Sequence, residues 1–497
     1  MHILKPSTTG GHSAYQDLVL TQLRKYYPDA AESLPSSTWE IMERFWNLDL
    51  SPLNSLMQDC YSVFGPAPRQ PSDMLRSFLL SVEFKIPTIT QWSAELRHNH
   101  LYAILSGFPV GSTPGIGTFY DFFRRLWKSD RPNLRDPVHP PKKSPKRPDK
   151  KGEKAPPVDK IRIEDLLSQL QETPPDETDP CSLLFEIFSK LFLFPSAEKG
   201  LVDLKHLALS GDGTPVYTAA QQRKKRLCSC LENGIHDCVC PRSYSQPDCD
   251  IGWDSHRNRY YFGYDLYMLT ASDSENDLPV FPLLGPASRH DLHGFAYTFF
   301  SMKKLLPEAT VSKVLLDSAH DAMPLYQYFR KEGVTPFIDL NWKVGKPIQY
   351  KDTFSIGKDG VPICRAGFKM HPHGSEPKHE YLFYRCPAMY KKSGCTCDNP
   401  CSPSSYGRVV KLAARDNPRL INMPPRDSEQ WKLEYNARTS SERCNKRLKI
   451  DLKLESGRHR SSRMWYCRLY SIMMCQHLNA WALPKSSSLK DLFQQAA

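Results

Sequence analysis

Residues 312–331 of the chain read SKVLLDSAHDAMPLYQYFRK, and residues 334–342 read VTPFIDLNW. The first segment predicts a buried strand that ends at Asp317 and is followed by a helix, and the second predicts a further strand. Upstream, residues 204–216 read LKHLALSGDGTPV and predict a strand that ends in a turn at residues 211–213. Strands with a helix between them in the sequence predict a mixed α/β core.

The composition excludes a wholly disordered chain, because 40% of the 497 residues are hydrophobic and 11% are aromatic. The 66 Lys and Arg residues outnumber the 54 Asp and Glu residues, so the formal net charge is +12. Two segments hold this excess: residues 128–160 have 11 basic and 5 acidic residues, and residues 432–463 have 10 and 4. Positive charge concentrated in this way is typical of proteins that bind a polyanion, most often nucleic acid.

Shifts in composition divide the chain into five segments. The first basic segment contains eight prolines, and its charges repel one another, so we expect an extended linker. A plain spacer and a tether that also lies along a polyanion are both compatible with it. The predicted segments are a helical N-terminal domain that binds DNA (1–127), the basic proline-rich linker (128–160), the first part of the core with a cysteine-rich loop (161–342), an inserted cysteine-containing region (343–430) and a C-terminal helical region (431–497).

The N-terminal segment predicts short helices separated by proline and glycine. Such a domain could be a helix-turn-helix DNA reader in which Arg124 and Arg125 face phosphates. It could equally be a bundle that serves only for packing or dimerisation, and the sequence leaves both interpretations open.

No membrane partner is expected from the sequence. No stretch approaches the ~18 consecutive apolar residues of a membrane span, and the first residues lack the apolar segment of a signal peptide. We therefore expect a soluble, cytoplasmic protein.

Residues 434–451, EYNARTSSERCNKRLKID, contain four polar side chains at helical spacing. At ~100° per residue, Tyr435, Arg438, Glu442 and Lys449 fall within about 60° of one another, on one stripe of a single helix about 21 Å long. A solvated face with ion pairs such as Arg438 with Glu442 would give the same pattern.

Two aspartates are expected near that stripe. Asp212 and Asp317 both end predicted strands, where an α/β sheet presents side chains to a crevice. Together with Glu442 they would form a cluster of hard oxygen ligands suited to Mg²⁺ or Mn²⁺. Two such ions about 3.5–4 Å apart can support phosphoryl transfer.

With these motifs the sequence resembles bacterial insertion-sequence transposases of the DDE class, whose catalytic core is ribonuclease-H-like. The cut-and-paste subgroup carries the signature Y-x2-R-x3-E-x6-K, and the stripe matches it at every spacing. The D-G-T turn at 212–214, DSAHD at 317–321 and ASRHD at 287–291 are similar to further motifs of the family. The likeness covers most of the chain, including the N-terminal helices.

The resemblance implies a role for each matched residue. Asp212, Asp317 and Glu442 would bind two Mg²⁺ or Mn²⁺ ions, and Tyr435, Arg438 and Lys449 would hold DNA phosphates near the cut. The enzyme would cut its element's terminal inverted repeats, pass through a hairpin and insert the element into target DNA. It would act on double-stranded DNA as a homodimer in the DNA complex and would be associated with the nucleoid.

Three further residues leave alternatives open for the predicted metal site. Asp203 and Asp321 compete for the roles of Asp212 and Asp317. His320 could adjoin the metal site or serve only in capping or packing.

In similar transposases the insertion between the second aspartate and the glutamate is β-rich, and an aromatic residue in it stacks on a flipped base. Trp342, at the edge of the inserted segment, is our candidate for this DNA contact. A core tryptophan at a strand end is the alternative.

Fifteen cysteines include two dense windows. Each window could close a structural zinc site, although C-x-C pairs are less typical than C-x2-C, and reduced cysteines without a ligand are the alternative. The candidate zinc ligands are Cys228, Cys230, Cys238 and Cys240 in the first window and Cys386, Cys395, Cys397 and Cys401 in the second.

Two other functions stay open beside a transposase. One is a zinc-containing, sequence-specific DNA-binding protein without catalysis. The other is a nuclease of the same fold that cuts without joining. Divalent-metal-dependent cleavage and strand-transfer products distinguish the three.

Overall fold

The computed structural model describes residues 11–494 with internal gaps. It confirms the predicted mixed α/β class, with a helical N-terminal region and a mixed sheet. Most of the predicted linker lies outside the described residues. The gaps are residues 63, 65–66, 135–160, 220–224, 227, 239, 241, 244–245, 247, 342–347, 351–353, 392–400, 458 and 484–487.

Helices form the N-terminal part and flank the sheet. They are α1 His12–Tyr26, α2 Ala30–Ser33, α3 Ser36–Asn47, α4 Pro52–Leu56, α5 Pro71–Glu83, α6 Ile89–His98, α7 His100–Ser106, α8 Ile116–Arg125, α9 Ile163–Glu172, α10 Ser182–Phe188, α11 Phe194–Glu198, α12 Asp291–Leu305, α13 Met323–Glu332, α14 Pro387–Tyr390, α15 Glu429–Asn436, α16 Thr439–Lys446, α17 Ser462–Ala480 and α18 Leu489–Gln494.

The strands are β1 Leu207–Tyr217, β2 Lys225–Arg226, β3 Arg242–Ser243, β4 Asp250–Asp254, β5 Arg259–Ala271, β6 Pro279–Pro286, β7 Val311–Leu316, β8 Thr335–Ile338, β9 Ile348–Tyr350, β10 Phe354–Ile356, β11 Pro362–Ile363, β12 His371–Glu376, β13 Tyr381–Arg385 and β14 Val409–Ala413. Among them, β7 and β8 confirm the two strands predicted at 312–331 and 334–342, and α13 confirms the helix between them.

The central sheet combines antiparallel and parallel pairs. Strand β5 pairs with both β4 and β6 on one side and with β1 on the other, always antiparallel. Strand β1 then pairs with β7, and β7 with β8, in parallel. Helices α12 and α13 connect β6 to β7 and β7 to β8, as parallel strands require.

Strand β1 is longer than predicted. The turn expected at 211–213 is wrong, because β5 pairs with β1 as far as Tyr217 and places Asp212 opposite Met268 in mid-strand. Glycine at 211 has a packing reason, since a β-carbon there would lie 2.7 Å from the hydroxyl of Tyr267. Strand β7 ends beside the middle of β1, so Asp212 still lies at an open edge of the sheet.

The predicted single helix over residues 434–451 is also wrong. It is broken between α15 and α16, where the amides of Ala437, Arg438 and Ser440 bond to carbonyls three residues back instead of four. After α16, residues Arg447–Asp451 widen into a π-helical turn. The regular 100° spacing assumed for the stripe therefore does not hold on either side of α16, although Glu442 and Lys449 still line one cavity.

The N-terminal helices share one hydrophobic core with the sheet and with α17. The thiol of Cys475 on α17 lies 3.7 Å from the carbonyl of Leu79 on α5. Residues 128–134 of the predicted linker also pack on the core, where the amide of Arg463 donates to the carbonyl of Pro132 at 3.0 Å. The described start of the linker is thus anchored to the fold, although Lys128, Asp130, Arg131 and Pro132 are exposed.

The inserted region has a core of its own, formed by residues between Leu340 and Ile421. It contains two three-stranded sheets, β11-β10-β9 and β12-β13-β14. A bidentate pair from Arg419 to Asp321, at 2.7 and 2.8 Å, joins it to the central fold.

One helical stretch of the described chain, Asp179–Glu198, is long and apolar enough to cross a membrane by length and composition. Of its apolar window, 61% is buried inside the fold. Its first helix, α10, packs against α17. This burial makes the stretch weak evidence for a membrane span.

Candidate functional site

A polar cleft lies at the edge of β1, just beyond the end of β7. The last β1–β7 pair is Ser210 with Leu315, so Asp317 follows β7 beside the position of Asp212. The cleft has a volume of ≈ 910 Å³ and is lined by β1, the β4–β5 hairpin, the start of α12, and α16 with its π-helical turn. Its polar lining includes Asp212, Asp254, Asp265, Arg257, Arg289, Asp291, Glu442, Asn445, Lys446 and Lys449.

Asp212 is held from the α16 side of the sheet. The amide of Asn445 donates to its carboxylate at 3.2 Å. Burial raises the pKa of Asp212 to about 6, and the nearby charges of Asp317 and Asp291 add to this, against the opposing effect of Arg438. A carboxylate crowded by other carboxylates is one that a cation would stabilise.

Asp317 is positioned by a buried histidine. The ring of His320 is 1% exposed, and its Nδ1 lies 2.6 Å from the Asp317 carboxylate. Its Nε2 lies 2.7 Å from the hydroxyl of Tyr267 on β5. Burial alone would raise the pKa of Asp317, but the hydrogen bond and charge of His320 hold it below the ordinary value. His320 thus orients Asp317 in addition to packing.

Glu442 lies on α16 at the cleft, half-exposed, with Arg438 as its partner at 2.6 Å. The charge of Arg438 also lowers the pKa of both Asp212 and Asp317. The guanidinium therefore lies within electrostatic reach of all three predicted metal ligands.

Tyr435 and Lys449 are less free than a phosphate contact requires. The ring of Tyr435 stacks on Trp431 with centroids 4.8 Å apart, and burial raises its pKa to about 12. The ammonium of Lys449 bonds to the carbonyl of Pro215 and lies 3.4 Å from Glu455. Both side chains would have to exchange these contacts to hold DNA.

Sequence reasoning missed the roles of two cleft residues, Asp265 and Asn445. Asp265 was detectable as the one acid in the aromatic run of β5, and Asn445 as the residue three positions after Glu442. The sequence marks Asp291 only as the last residue of the ASRHD motif, yet its charge acts on Asp212. The described cleft is therefore more acidic than the predicted triad.

The competing aspartates are engaged elsewhere. Asp203 is exposed and accepts the backbone amides of Lys205 and His206 at 2.9 and 3.0 Å. Asp321 is buried and carries the pair with Arg419. Neither lines the cleft. Asp317 is not among the lining side chains either, but its charge acts on Asp212.

Four sulfur atoms of the first cysteine window converge. The ligand atoms of Cys228, Cys230, Cys238 and Cys240 all lie within 4.8 Å of one another, and this is the only group of three or more such ligands found in the described chain. The pairs Cys228–Cys238 and Cys230–Cys240 are 3.4 and 3.6 Å apart. The backbone amide of Cys230 and the thiol of Cys238 lower the pKa of Cys228 to about 7, which favours the thiolate that binds metal. The cluster could bind a metal such as zinc.

The second window is only partly described. Cys386 is buried and Cys401 is partly buried. Cys395 and Cys397 lie outside the described residues, as does Trp342. The predicted second zinc site and the predicted base-stacking tryptophan thus stay predictions.

Cationic and aromatic side chains surround the acids. Arg257 stacks on Tyr217, with 4.9 Å between its guanidinium carbon and the ring centroid. Trp253 is 51% exposed at the β4–β5 hairpin and, like Arg257, faces the cleft. Arg289 forms a bidentate pair with Glu177 at 2.9 to 3.1 Å. The site thus combines an acidic floor with a rim that can contact phosphates and bases.

Comparison with protein-family models gives no match, and no curated protein matches the chain.

Proposed function

We propose that the protein is a DDE-class DNA transposase with a ribonuclease-H-like core. The observation that carries the proposal is that the charge of Asp317 acts on Asp212 from the adjacent parallel strand, while Glu442 lines the cleft with Asp212 at the same sheet edge. Three antiparallel strands followed by two parallel ones, with α12 and α13 as connections, are compatible with that core.

Divalent ions fit the residues of the cleft. The donors are hard carboxylate oxygens, and the buried Oδ2 of Asp265 has no hydrogen-bond partner among the described residues. Asp212, Asp317 and Glu442 would hold Mg²⁺ or Mn²⁺, although their oxygens are more widely spaced than the sulfurs of the cysteine cluster. When bound, the ions would activate the attacking hydroxyl or water and stabilise the leaving oxygen.

The chain's own residues orient the ligands and the DNA. Asn445 and His320 fix the carboxylates of Asp212 and Asp317. Arg438 bonds to Glu442 without metal and would turn to a DNA phosphate once a cation takes over that carboxylate. The repulsion among the acids is thereby limited before metal and DNA bind.

Double-stranded DNA is the proposed substrate, and the terminal repeats and the target are bound successively. The binding species is a homodimer, associated with the nucleoid in the cytoplasm. The support is the basic segment 432–463, which includes the cleft residue Lys446, together with Arg257 at the rim. Both ends of the element must be cut together. Because each chain has one site, two chains must pair to cut both ends.

The test of the proposal is a cleavage assay on the DNA that flanks the gene. With Mg²⁺ or Mn²⁺ the purified protein should nick the terminal repeat and then join the freed 3′ end to a target. Absence of nicking with both metals would overturn the proposal, and nicking without joining would favour the nuclease.

The raised pKa of Asp212 predicts weaker Mn²⁺ binding in acid. Asp212 holds a proton up to about pH 6, and Mn²⁺ must displace that proton to bind. The affinity for Mn²⁺ should therefore fall roughly tenfold per pH unit below pH 6 and level off above it. Between pH 3.8 and about 6 the folded chain alone binds this proton, so the contribution of Asp212 to the metal-free stability falls as pH rises.

Mn²⁺ titrations followed by electron paramagnetic resonance from pH 5 to 8 measure this dependence. Asp212→Asn should flatten the profile. Equal affinity at pH 5 and pH 7 in the unmodified protein would contradict the prediction.

The cysteine cluster supports a second candidate, a zinc-containing DNA-binding protein without catalysis. Its loop lies between β2 and β3, in the connection from β1 to β4, so a metal there would order a segment that joins two walls of the cleft. DNA binding without cleavage in either metal would favour this candidate.

We expect one zinc per chain at the cluster. Cys230→Ser should lower the zinc content of the purified protein from about one to well under half an equivalent, because a structural site needs four ligands. Cys60→Ser, which changes a cysteine outside both windows, is the matched control and should leave the zinc content unchanged. Equal zinc in both variants, measured by atomic emission, would exclude this ligand set.

A further inference from the structure

Two carboxylates outside the predicted triad face each other above Gly213. A β-carbon on that glycine would lie 2.8 Å from Oδ1 of Asp291 and 3.1 and 3.3 Å from the two oxygens of Asp265. Asp265 comes from β5 and Asp291 from the first turn of α12, so the sheet and a helix aim acids at one point. The absence of a side chain at Gly213 leaves that point free.

Few described cations act on this pair: His320 and His290 on Asp291, and Arg289 on Asp265. Asp265 is 7% exposed, and its Oδ2 is buried without a hydrogen-bond partner in the described chain. Arg289, the cation whose charge acts on Asp265, is committed to Glu177 through three contacts of 3.1 Å or less. A buried carboxylate without a partner is costly unless it is neutralised, and a bound cation would supply the missing positive charge.

We propose that Asp265 and Asp291 bind a divalent cation, Mg²⁺ or Mn²⁺, above Gly213 and beside the ions expected at Asp212, Asp317 and Glu442. Only the use of this ion in DNA cleavage rests on the proposed function; the binding itself does not. Two carboxylates with several waters are a usual ligand set for these ions. The cleft, at ≈ 910 Å³, has room for those waters.

A cation at this position would change the field of the whole cleft. Asp291 acts on both Asp212 and Asp265, so neutralising it reduces the repulsion between all three acids. A DNA phosphate entering the cleft would then meet fewer uncompensated negative charges. The pair therefore binds an ion that prepares the cleft for DNA.

The test counts Mn²⁺ ions on the full-length protein without DNA, by electron paramagnetic resonance after removal of metal with EDTA. Asp265→Asn should lower the number bound by one, and Asp291→Asn should do the same. Asp203→Asn, which changes an exposed acid away from the cleft, is the matched control and should bind as the unmodified protein does. A triple variant with Asp212→Asn, Asp317→Asn and Glu442→Gln should still bind one ion. Adding Asp265→Asn to this variant should remove that ion.

Folding is checked by thermal unfolding in EDTA, where Asp265→Asn should melt at or above the temperature of the unmodified protein because it removes an unpaired acid. Gly213→Ala, which keeps both carboxylates but fills the space between them, should also lose one ion. Unchanged Mn²⁺ stoichiometry in Asp265→Asn and Asp291→Asn would overturn the inference. If changing this pair removes the ion but the unmodified protein never cuts DNA, the result would support the cation site. The same result would count against the proposed transposase function.

Discussion

Asp317→Asn should abolish metal-dependent nicking of terminal DNA, lowering its rate by about a thousandfold or more. Asparagine has the shape of aspartate and can still accept the hydrogen bond of His320, so the local structure should persist. What is lost is the negative charge that would hold a divalent ion beside Asp212. The assay is single-turnover nicking of labelled terminal DNA in Mg²⁺ and in Mn²⁺.

Asp203→Asn is the control for this prediction, since Asp203 is the rival aspartate. Within the described chain, its exposed carboxylate contacts only the nearby backbone amides and the ring of His206 just before β1. It should cut at the normal rate. Thermal unfolding should show that Asp317→Asn is folded, so that inactivity is not read as misfolding. Nicking by Asp317→Asn at the normal rate would remove Asp317 from the proposed metal site.

The sequence predicted the parts of the site that depend on local patterns. A buried apolar run ending at Asp317 is a strong signal for a strand, and the spacing from Arg438 to Glu442 is a strong signal for a shared helix face. Both hold in the structure because the interactions involved are short-range in sequence. The order of strands and helix likewise predicted the α/β class.

What the sequence could not give depends on partners far along the chain. The turn predicted at 211–213 assumed that glycines end a strand, whereas pairing with β5 carries β1 on to Tyr217. Asp265 looks like an ordinary strand residue until α12 packs beside it and brings Asp291 over Gly213. The single regular helix failed because the backbone tightens after Asn436 and widens after Lys446, although Lys449 still lines the cleft with Glu442. Each of these features is set by tertiary packing, which overrides local propensity.

The distribution of charge has a different meaning in the folded chain. Of the basic segment 432–463, Arg443 and Arg447 pair with the buried Asp277 and so fasten α16 to the turn between β5 and β6. Arg438 is held by Glu442, and Lys449 by Glu455. Much of this positive charge therefore positions the helix, and fewer cations than the sequence suggests are free for DNA.

The second large effect concerns the connection between the N-terminal helices and the rest of the chain. Cutting a protease site placed within residues 135–160 should not release the N-terminal fragment. Helix α5 packs against α17 as well as against α7, and its Leu79, Leu80 and Val82 are each 0% exposed in the core that the two parts share. Fully burying such a side chain contributes about 1.5–3 kcal/mol, so a few of them approach the ~5–15 kcal/mol that stabilises a whole protein.

The two fragments should therefore elute together in gel filtration, and a chain that starts at residue 161 should be unfolded by circular dichroism, because α17 would expose the face that α5 covers. The uncut protein with the same insertion is the control for elution volume and melting temperature. If the fragments separate without denaturant and each stays folded, the helices are a tethered domain, as the linker composition first indicated. If they stay together, the N-terminal helices reach DNA only as a rigid part of the same folded unit that carries Asp212 and Asp317. The distance between a bound repeat and the cut in it is then fixed by the fold.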